Sequence, residues 1–334
     1  MSIKFQSVYL SRNHIQLGDE LRIGIDAGGS KTAAAIVRCA AGQTSNLEIL
    51  GRGEAGPCSI TSASPAEWEA ALSKAIHSAL QQADLDPATQ FHRVTAAVAG
   101  YSNTELHQPL LNRLEAVVPA AEYRLAPDYA AALAGAAAGE PGVAVIAGTG
   151  SVAYGTDSEG RHICAGGLGY LLGDDGSGFW LGQQAIRLAL SDQLEEGPLR
   201  ERLFNSLGTL IPSEIIAWCY RPVETGRVTR IAHLAIAVAS AAHDGDEAAL
   251  QLMLCAAEHL AHRALYILEW LRFSQPPKIY RIGGLWRAGK PLVVPFIGTI
   301  KAACAGAEFP ENRYEPEIGA ALLDWDPQCF HRVG

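Results

Sequence analysis

No Cys-x-x-Cys pair occurs in this sequence, and its seven cysteines (39, 58, 164, 219, 255, 304 and 329) are scattered and odd in number. The count argues against a disulfide framework, and no ligand spacing supports zinc or an iron–sulfur cluster. Reduced thiols in a cytoplasmic protein are expected. His162 and Cys164 lie close together and are read as loop residues. Basic runs are also missing: 26 Lys and Arg stand against 35 Asp and Glu, for a net charge of −9. Neither nucleic acid nor an anionic membrane surface is an expected partner. No apolar run reaches the roughly 20 residues of a spanning helix without a breaker. The first twenty residues hold Lys4, Arg12, Asp19 and Glu20 but no apolar core, so no signal peptide is expected. There is no G-x-x-x-x-G-K-[ST] loop, and no G-x-G-x-x-G follows a strand with a ribose-binding acid. An acidic chain that binds an anion must do so locally, with backbone N–H groups, a metal or a few placed cations.

What is present is ample apolar content, 49% of 334 residues, enough for about two domains with large cores. Residues 21–27 and 33–38 read as strands, and a third strand lies in 47–56. Residues 64–83 read as a helix with Ser64 as N-cap, Pro65 at the first helical position and Glu67 behind it. A strand at 93–100, a helix at 104–118, a short strand from 122, a turn at Pro127–Asp128 and an Ala-rich helix follow. The stretch GVAVIAGTGSVAYGTD (142–157) then repeats the strand, Gly-rich turn, strand pattern of RIGIDAGGSKTAAAIV (22–37). A repeat at that spacing indicates a duplicated unit. Beyond it helices are expected at 178–193, 198–206, 213–220, 227–244 and 246–272, a strand at 278–284, and helices at 291–305 and 315–325. Strands first and helices after, twice over, give α/β domains with mixed sheets. The Ala- and Leu-rich helices of the second half suit either a core or a homodimer interface.

The two turns are candidate phosphate clamps. Gly28 and Gly29 allow backbone N–H groups to converge on one point, and Ser30, Lys31 and Thr32 add hydroxyls and a cation. Asp26 beside that anion site makes sense as a Mg²⁺ ligand through water. An ordinary hairpin turn is the plainer alternative for this stretch alone. The second turn, 147–151, is again small and Gly-rich and lacks a carboxylate. Two such hairpins in duplicated positions suit one polyphosphate gripped from both sides. A third signal, RIGGLW (281–286), ends a strand and opens a helix; its Gly pair suits a flat base against the backbone, or a plain strand–helix turn.

Two carboxylates stand out. Asp128 precedes an Ala-rich helix and is either its cap or a general base at a cleft between domains. Asp174 lies in GGLGYLLGDDGSGFWLG (166–182), a segment too rich in Gly for mere connection. It is either a sugar-hydroxyl acceptor or a favourable charge at a helix N-terminus.

Together, IGIDAGGSKT, IAGTGS, GGLGYLLGDDGSGFW and RIGGLW resemble the phosphate 1, phosphate 2, following-loop and adenosine motifs of the N-acetylglucosamine kinase family. That family lies in the actin, heat-shock ATPase and sugar kinase superfamily and overlaps the BadF/BadG/BcrA/BcrD ATPase grouping. The resemblance spans about residues 21–325 and implies an α/β fold of two actin-like (ribonuclease H-like) domains. Their mixed sheets would be flanked by helices, with an ATP–Mg²⁺ cleft between them. The implied organisation is an arm at 1–19, a domain at 20–125 completed by the helix near 315–326, and a domain at 126–314. By position, Gly28, Gly29, Ser30, Lys31 and Thr32 match the first phosphate hairpin and Asp26 the Mg²⁺-associated acid. Thr149, Gly150 and Ser151 match the second turn, with Thr149 and Gly150 also near sugar. Asp128 matches the catalytic Asp, Gly167, Leu168 and Asp174 the sugar loop, and Gly283 and Gly284 the adenosine motif. Ser59 stands nearest the place of a sugar-binding Asn, and Leu168 stands where a Trp occurs; both departures lie on the sugar side. The implied activity is ATP-dependent phosphorylation of the 6-hydroxyl of N-acetylglucosamine. Glucosamine kinase or N-acetylmuramic acid kinase is the near alternative, and a reductase-activating ATPase or a non-catalytic sugar sensor is the remote one.

Overall fold

The first sheet forms where the sequence turns apolar. A computed structural model describes residues 19–325 and 330–333, apart from 30, 41–46, 59–63, 192 and 224–225. Strands β1 (Asp19–Ala27), β2 (Thr32–Ala40) and β3 (Glu48–Ala55) make an antiparallel meander. Strands β4 (Phe91–Val98) and β5 (Ala120–Pro127) add in parallel on the β1 side, giving the order β3-β2-β1-β4-β5. The crossover from β3 to β4 is α1 (Pro65–Ala83), started by the expected box: the Glu67 carboxylate accepts from Ser64 N–H at 2.6 Å, and Ser64 Oγ accepts from Glu67 N–H. Its apolar stripe, with Trp68, Leu72, Ile76 and Leu80, packs with Ile23, Ile25 and Ala27 of β1. Helix α2 (His107–Val117) joins β4 to β5.

Four strands of the second sheet repeat the order of four in the first, as the sequence repeat implies, while the fifth strand joins the opposite edge. Strands β6 (Gly142–Ala147), β7 (Ser151–Thr156) and β8 (His162–Gly166) form the meander, and β9 (Ile279–Ile282) lies parallel to β6. Strand β10 (Phe330–Val333) pairs in parallel with β8, for the order β10-β8-β7-β6-β9. Among the described residues seven α-helices lie between β8 and residue 304: α4 (Gly178–Ala189), α5 (Pro198–Leu207), α6 (Pro212–Tyr220), α7 (Arg227–Ala232), α8 (Leu234–His243), α9 (Glu247–Trp270) and α10 (Lys290–Ala303). The long, Ala-rich α9 covers the face of the sheet that carries Val143, Val145, Ala153 and Ile163.

Two helices exchange sides. Helix α3 (Asp128–Ala136) continues from β5 but packs its Ala130 and Leu133 with Ala144 and Tyr154 of the second sheet. Helix α11 (Pro316–Leu322) follows the second half in sequence but packs its Ile318 and Ala321 with Ala35 and Val37 of the first. The two cross backbone to backbone. A Cβ on Gly319 would lie 2.0 Å from the Ala131 carbonyl oxygen and 2.3 Å from the Gly135 nitrogen. Only a residue without a side chain fits there.

The structure departs from the sequence reading at definite places. His162 and Cys164 sit in a strand, not a loop. All of 162–165 is buried, so no polar–apolar alternation marks it. The expected turn at Pro127–Asp128 does not exist, because β5 runs directly into α3. The helix expected from 104 begins as a 3₁₀ turn over Thr104–Leu106. The helix expected over 227–244 is broken at His233, where the ladder tightens to an Ile236 N–H···O=C His233 bond of 3.0 Å. No Gly or Pro marks that break.

The crossing gives a direct test. Gly319→Ala should lower folding stability in urea by at least about 2 kcal/mol, because neither backbone can retreat. Gly298→Ala, on the exposed face of α10 with nothing within 4 Å of its added Cβ, should gain up to about 1 kcal/mol from helix propensity. Equal midpoints for the two variants would contradict the crossing.

Candidate functional site

The site forms where the sheets end and the exchanged helices begin. In β1, alternation sends Gly24 and Asp26 to the face that α11 covers, while Ile23 and Ile25 go to the α1 side. Asp26 pairs with Ala33 across the hairpin and with Ala97 of β4. The neighbouring side chains on this face are small, which leaves the Asp26 carboxylate half-buried near Asp128, Glu317 and Lys31. Burial, then the charges of Asp128 and Glu317, raise its pKa to about 7. Asp128 is the first residue of α3; its Oδ1 accepts from Tyr129 N–H at 2.9 Å, and Pro127 occupies the cap position. Burial raises Asp128 to about 6. Glu317, in the first turn of α11, is also raised by burial, although Arg52 Nη1 lies 3.2 Å from its Oε1. Sequence reasoning missed Glu317, since a Glu in a first helical turn reads as an ordinary dipole partner.

The first hairpin turn closes with a Gly28 N–H···O=C Lys31 bond of 3.0 Å. Thr32 is fully buried, and its hydroxyl donates to the Gly56 carbonyl at 2.8 Å. Lys31 pairs with Glu54 of β3 at 2.9 Å, both exposed. Gly29 lines a small cleft with Gly56, Pro57 and Lys74. Ser30 and Ser59 lie outside the described residues.

The second turn is tied to the Gly-rich loop. Gly148 N–H donates to the Gly150 carbonyl at 2.9 Å. Gly178 and Phe179 donate back to the Gly148 and Thr149 carbonyls at 2.8 and 3.1 Å. Ser151 N–H donates to Asp174 Oδ1 at 3.2 Å, and Ser151 Oγ donates to the Asp175 carbonyl at 2.9 Å. Both Ser151 donors therefore serve the loop. Thr149 and Gly150 N–H have no acceptor among the described residues. Asp174 holds a left-handed backbone (φ 61°), and burial raises its pKa. Gly167 N–H donates to the Ser151 carbonyl at 3.3 Å. Leu168 is partly exposed at the loop's outer end.

A cleft of about 490 Å³ opens beside this turn, lined by Gly148, Thr149, Gly178, Gly284, Leu285 and Arg287 together with His233, Ile236 and Ala239 of the α7–α8 region. It joins the second phosphate turn to the adenosine-type motif. Gly283, at φ 104°, presses against β6: an added Cβ would lie 2.4 Å from the Ala147 carbonyl oxygen. Gly284 is open to the cleft. His233 and Ile236, at the α7–α8 break, complete the wall; no local motif marked them. Such a cleft, apolar over most of its wall with a few polar groups at one end, suits a nucleoside.

A divalent cation fits this donor set. Asp26 and Asp128 are half-buried close together, with Lys31 the one cation acting on Asp26 among the described residues, and such a pair favours protonation unless a positive charge enters. No cluster of three or more His, Cys, Asp or Glu side chains able to cage a metal exists among the described residues. A Mg²⁺ ion would therefore be held by few protein oxygens, with water and phosphate filling the rest.

The sequence pattern of the BadF/BadG/BcrA/BcrD ATPase family matches residues 23–323, and the chain belongs to that family. It is 28% identical over 265 residues to the N-acetylmuramic acid/N-acetylglucosamine kinase of Clostridium acetobutylicum, covering 78% of this chain and 84% of that protein. It is 28% identical over 323 residues to the N-acetyl-D-glucosamine kinase of Dictyostelium discoideum, covering 92% and 98%. A solved structure of a candidate N-acetylglucosamine kinase from Chromobacterium violaceum superposes with a TM-score of 0.70 at 27% identity, over 91% of this chain and 98% of that one. The α/β fold with two actin-like mixed sheets is thus the expected one.

The raised carboxylates make a stability test. A carboxylate whose folded pKa exceeds its unfolded value stabilises the fold at low pH and loses that contribution as pH rises through the folded pKa. Asp128 should therefore weaken the fold between about pH 4 and pH 6. In Mg²⁺-free buffer, Asp128→Asn should show a flatter decline of the urea midpoint over that range, and at pH 8 should be at least as stable as wild type. An unchanged slope would mean that Asp128 is solvated.

Proposed function

We propose that this chain is an ATP-dependent kinase that phosphorylates an amino sugar, with the 6-hydroxyl of N-acetylglucosamine as the acceptor. The carrying observation is the half-buried Asp128 carboxylate, raised to about 6 and close enough to Asp26 to raise that group as well. A base of that pKa is partly ready to take a proton at neutral pH, which suits an acceptor hydroxyl. In this reading Asp128 orients the hydroxyl and accepts its proton as the phosphoryl group moves. Gly29 on one side, and Thr149 and Gly150 on the other, direct N–H groups at the phosphates, while Gly28, whose N–H donates to the Lys31 carbonyl, holds the first turn closed. Gly283 and Gly284 floor the adenosine cleft. Asp174, with Gly167 and Leu168, faces the acceptor. Ser151 orders the loop instead of reaching phosphate, and Thr32 and Lys31 shape the first hairpin. Asp26 holds Mg²⁺ through water, with Glu317 nearby, and the bound ion offsets charge on the phosphates.

The domains of this reading are 20–125 with helix 316–322, and 126–314. They close about the α3–α11 crossing and exclude water from the phosphoryl group. Among the described residues no helix is long and apolar enough to cross a membrane, and we place the enzyme in the cytoplasm. N-acetylmuramic acid is the second acceptor to consider, because the Clostridium relative is named for both sugars.

ADP release from Mg-ATP should rise strongly with one sugar among N-acetylglucosamine, glucosamine, N-acetylmuramic acid, N-acetylmannosamine and glucose. Asp128→Asn should cut that turnover by about 10²-fold or more while KM for ATP stays close to wild type. Equal slow hydrolysis with every sugar would defeat the proposal, and near-normal turnover in the variant would remove Asp128 from it.

A further inference from the structure

Arg263, on the long helix α9, is buried beneath the Gly-rich loop, with its side chain 13% exposed. No local motif announces it. Its Nη1 donates to Ser151 Oγ at 2.5 Å and to the Asp175 carbonyl at 2.7 Å, and its Nη2 lies 3.4 Å from Asp175 Oδ2. Its stem fills the space under Gly166, where an added Cβ would meet Nε at 2.9 Å. One planar guanidinium therefore holds the first residue after the second turn and a residue of the sugar-facing loop together. Ser151 completes the web by donating its hydroxyl to the same Asp175 carbonyl and its N–H to Asp174. A Lys at 263 supplies one charge but not the fork that bridges two segments.

We propose that Arg263 is a positioning residue that makes the second phosphate turn and the sugar loop one mechanical unit, so that nucleotide at Thr149–Gly150 sets Asp174 for the acceptor. The inference rests on the kinase reading above. Nothing in it requires Arg263 to touch either ligand. A shift of the turn toward phosphate moves Ser151. Ser151 carries Asp175 through the shared guanidinium, and Asp174 follows through its bond to Ser151 N–H. The coupling is reciprocal, so the sugar also favours the nucleotide-bound position of the turn.

The test is binding of the sugar that wild type phosphorylates, measured by calorimetry with and without a non-hydrolysable ATP analogue plus Mg²⁺. Wild type should bind the sugar about tenfold more tightly when the analogue is present. Arg263→Gln should bind each ligand alone within about threefold of wild type, lose most of the tenfold enhancement, and lower kcat more than it raises either KM. Arg263→Lys should fall between. Ser151→Ala should lose part of the enhancement, and Ser151→Ala with Arg263→Gln should lose no more than Arg263→Gln alone. If Arg263→Gln fails to fold, the Lys and Ser151→Ala variants carry the same test. Full enhancement in those variants, additive losses in the double variant, or no enhancement in wild type would overturn the proposal. A wild type that phosphorylates none of the sugars would instead overturn the reading beneath it.

Discussion

The site depends on two half-buried carboxylates close enough for the charge of one to raise the pKa of the other. Asp26 lies near the end of β1 and Asp128 opens α3, and among the described residues no basic side chain is bonded to either. Left to themselves, such groups would take water or move apart. The fold prevents both. Gly319 and Gly135 let α3 and α11 touch, and that contact roofs the face of the first sheet on which Asp26 lies. Small residues at 97, 131 and 320 fill the space beneath. A bulkier residue at any of them would lift a helix and admit solvent, so packing and the electrostatics of the site are set by the same contacts.

The duplicated sheets divide the work unequally. The first hairpin carries an acid beside its turn and is braced from its own sheet, by Gly56 and Glu54 of or just beyond β3. The second carries no acid and is braced from outside its sheet, by the loop before α4 and by α9. A loop that packs against a turn can respond to what the turn binds. A turn braced by its neighbouring strand stays put. Asp174 thus lies on the side braced by a loop and Asp26 on the side braced by a strand.

Much of this was legible in the sequence because it is local. Hairpins, Gly-rich turns and the Ser64 cap each announce themselves within ten residues, and the repeat between 22–37 and 142–157 showed that they belong together. What stayed hidden is long-range. Glu317 acts on Asp26 from almost three hundred residues on, Arg263 reaches Ser151 from a helix more than a hundred residues on, and the cleft beside the second turn borrows His233 from a helix break that no Gly or Pro marks. The strand over 162–166 was misread because burial on all sides erases alternation. Ser151 was read as a phosphate donor from its place in a motif, yet its two donors point to the loop, which only the fold can reveal.

The exchange of α3 and α11 also sets the order in which the molecule can be completed. The first sheet has all five strands by residue 127, but one of its faces waits for residues 316–322. During synthesis that face, with Ala35, Val37 and Asp26, lacks its cover until residues 316–322 have left the ribosome. A nascent first half therefore displays an apolar surface next to an ordinary, solvated aspartate. It can be recognised by chaperones, and it lacks the buried acid that the proposed chemistry requires. The enzyme's readiness for reaction arises only as the last helix docks.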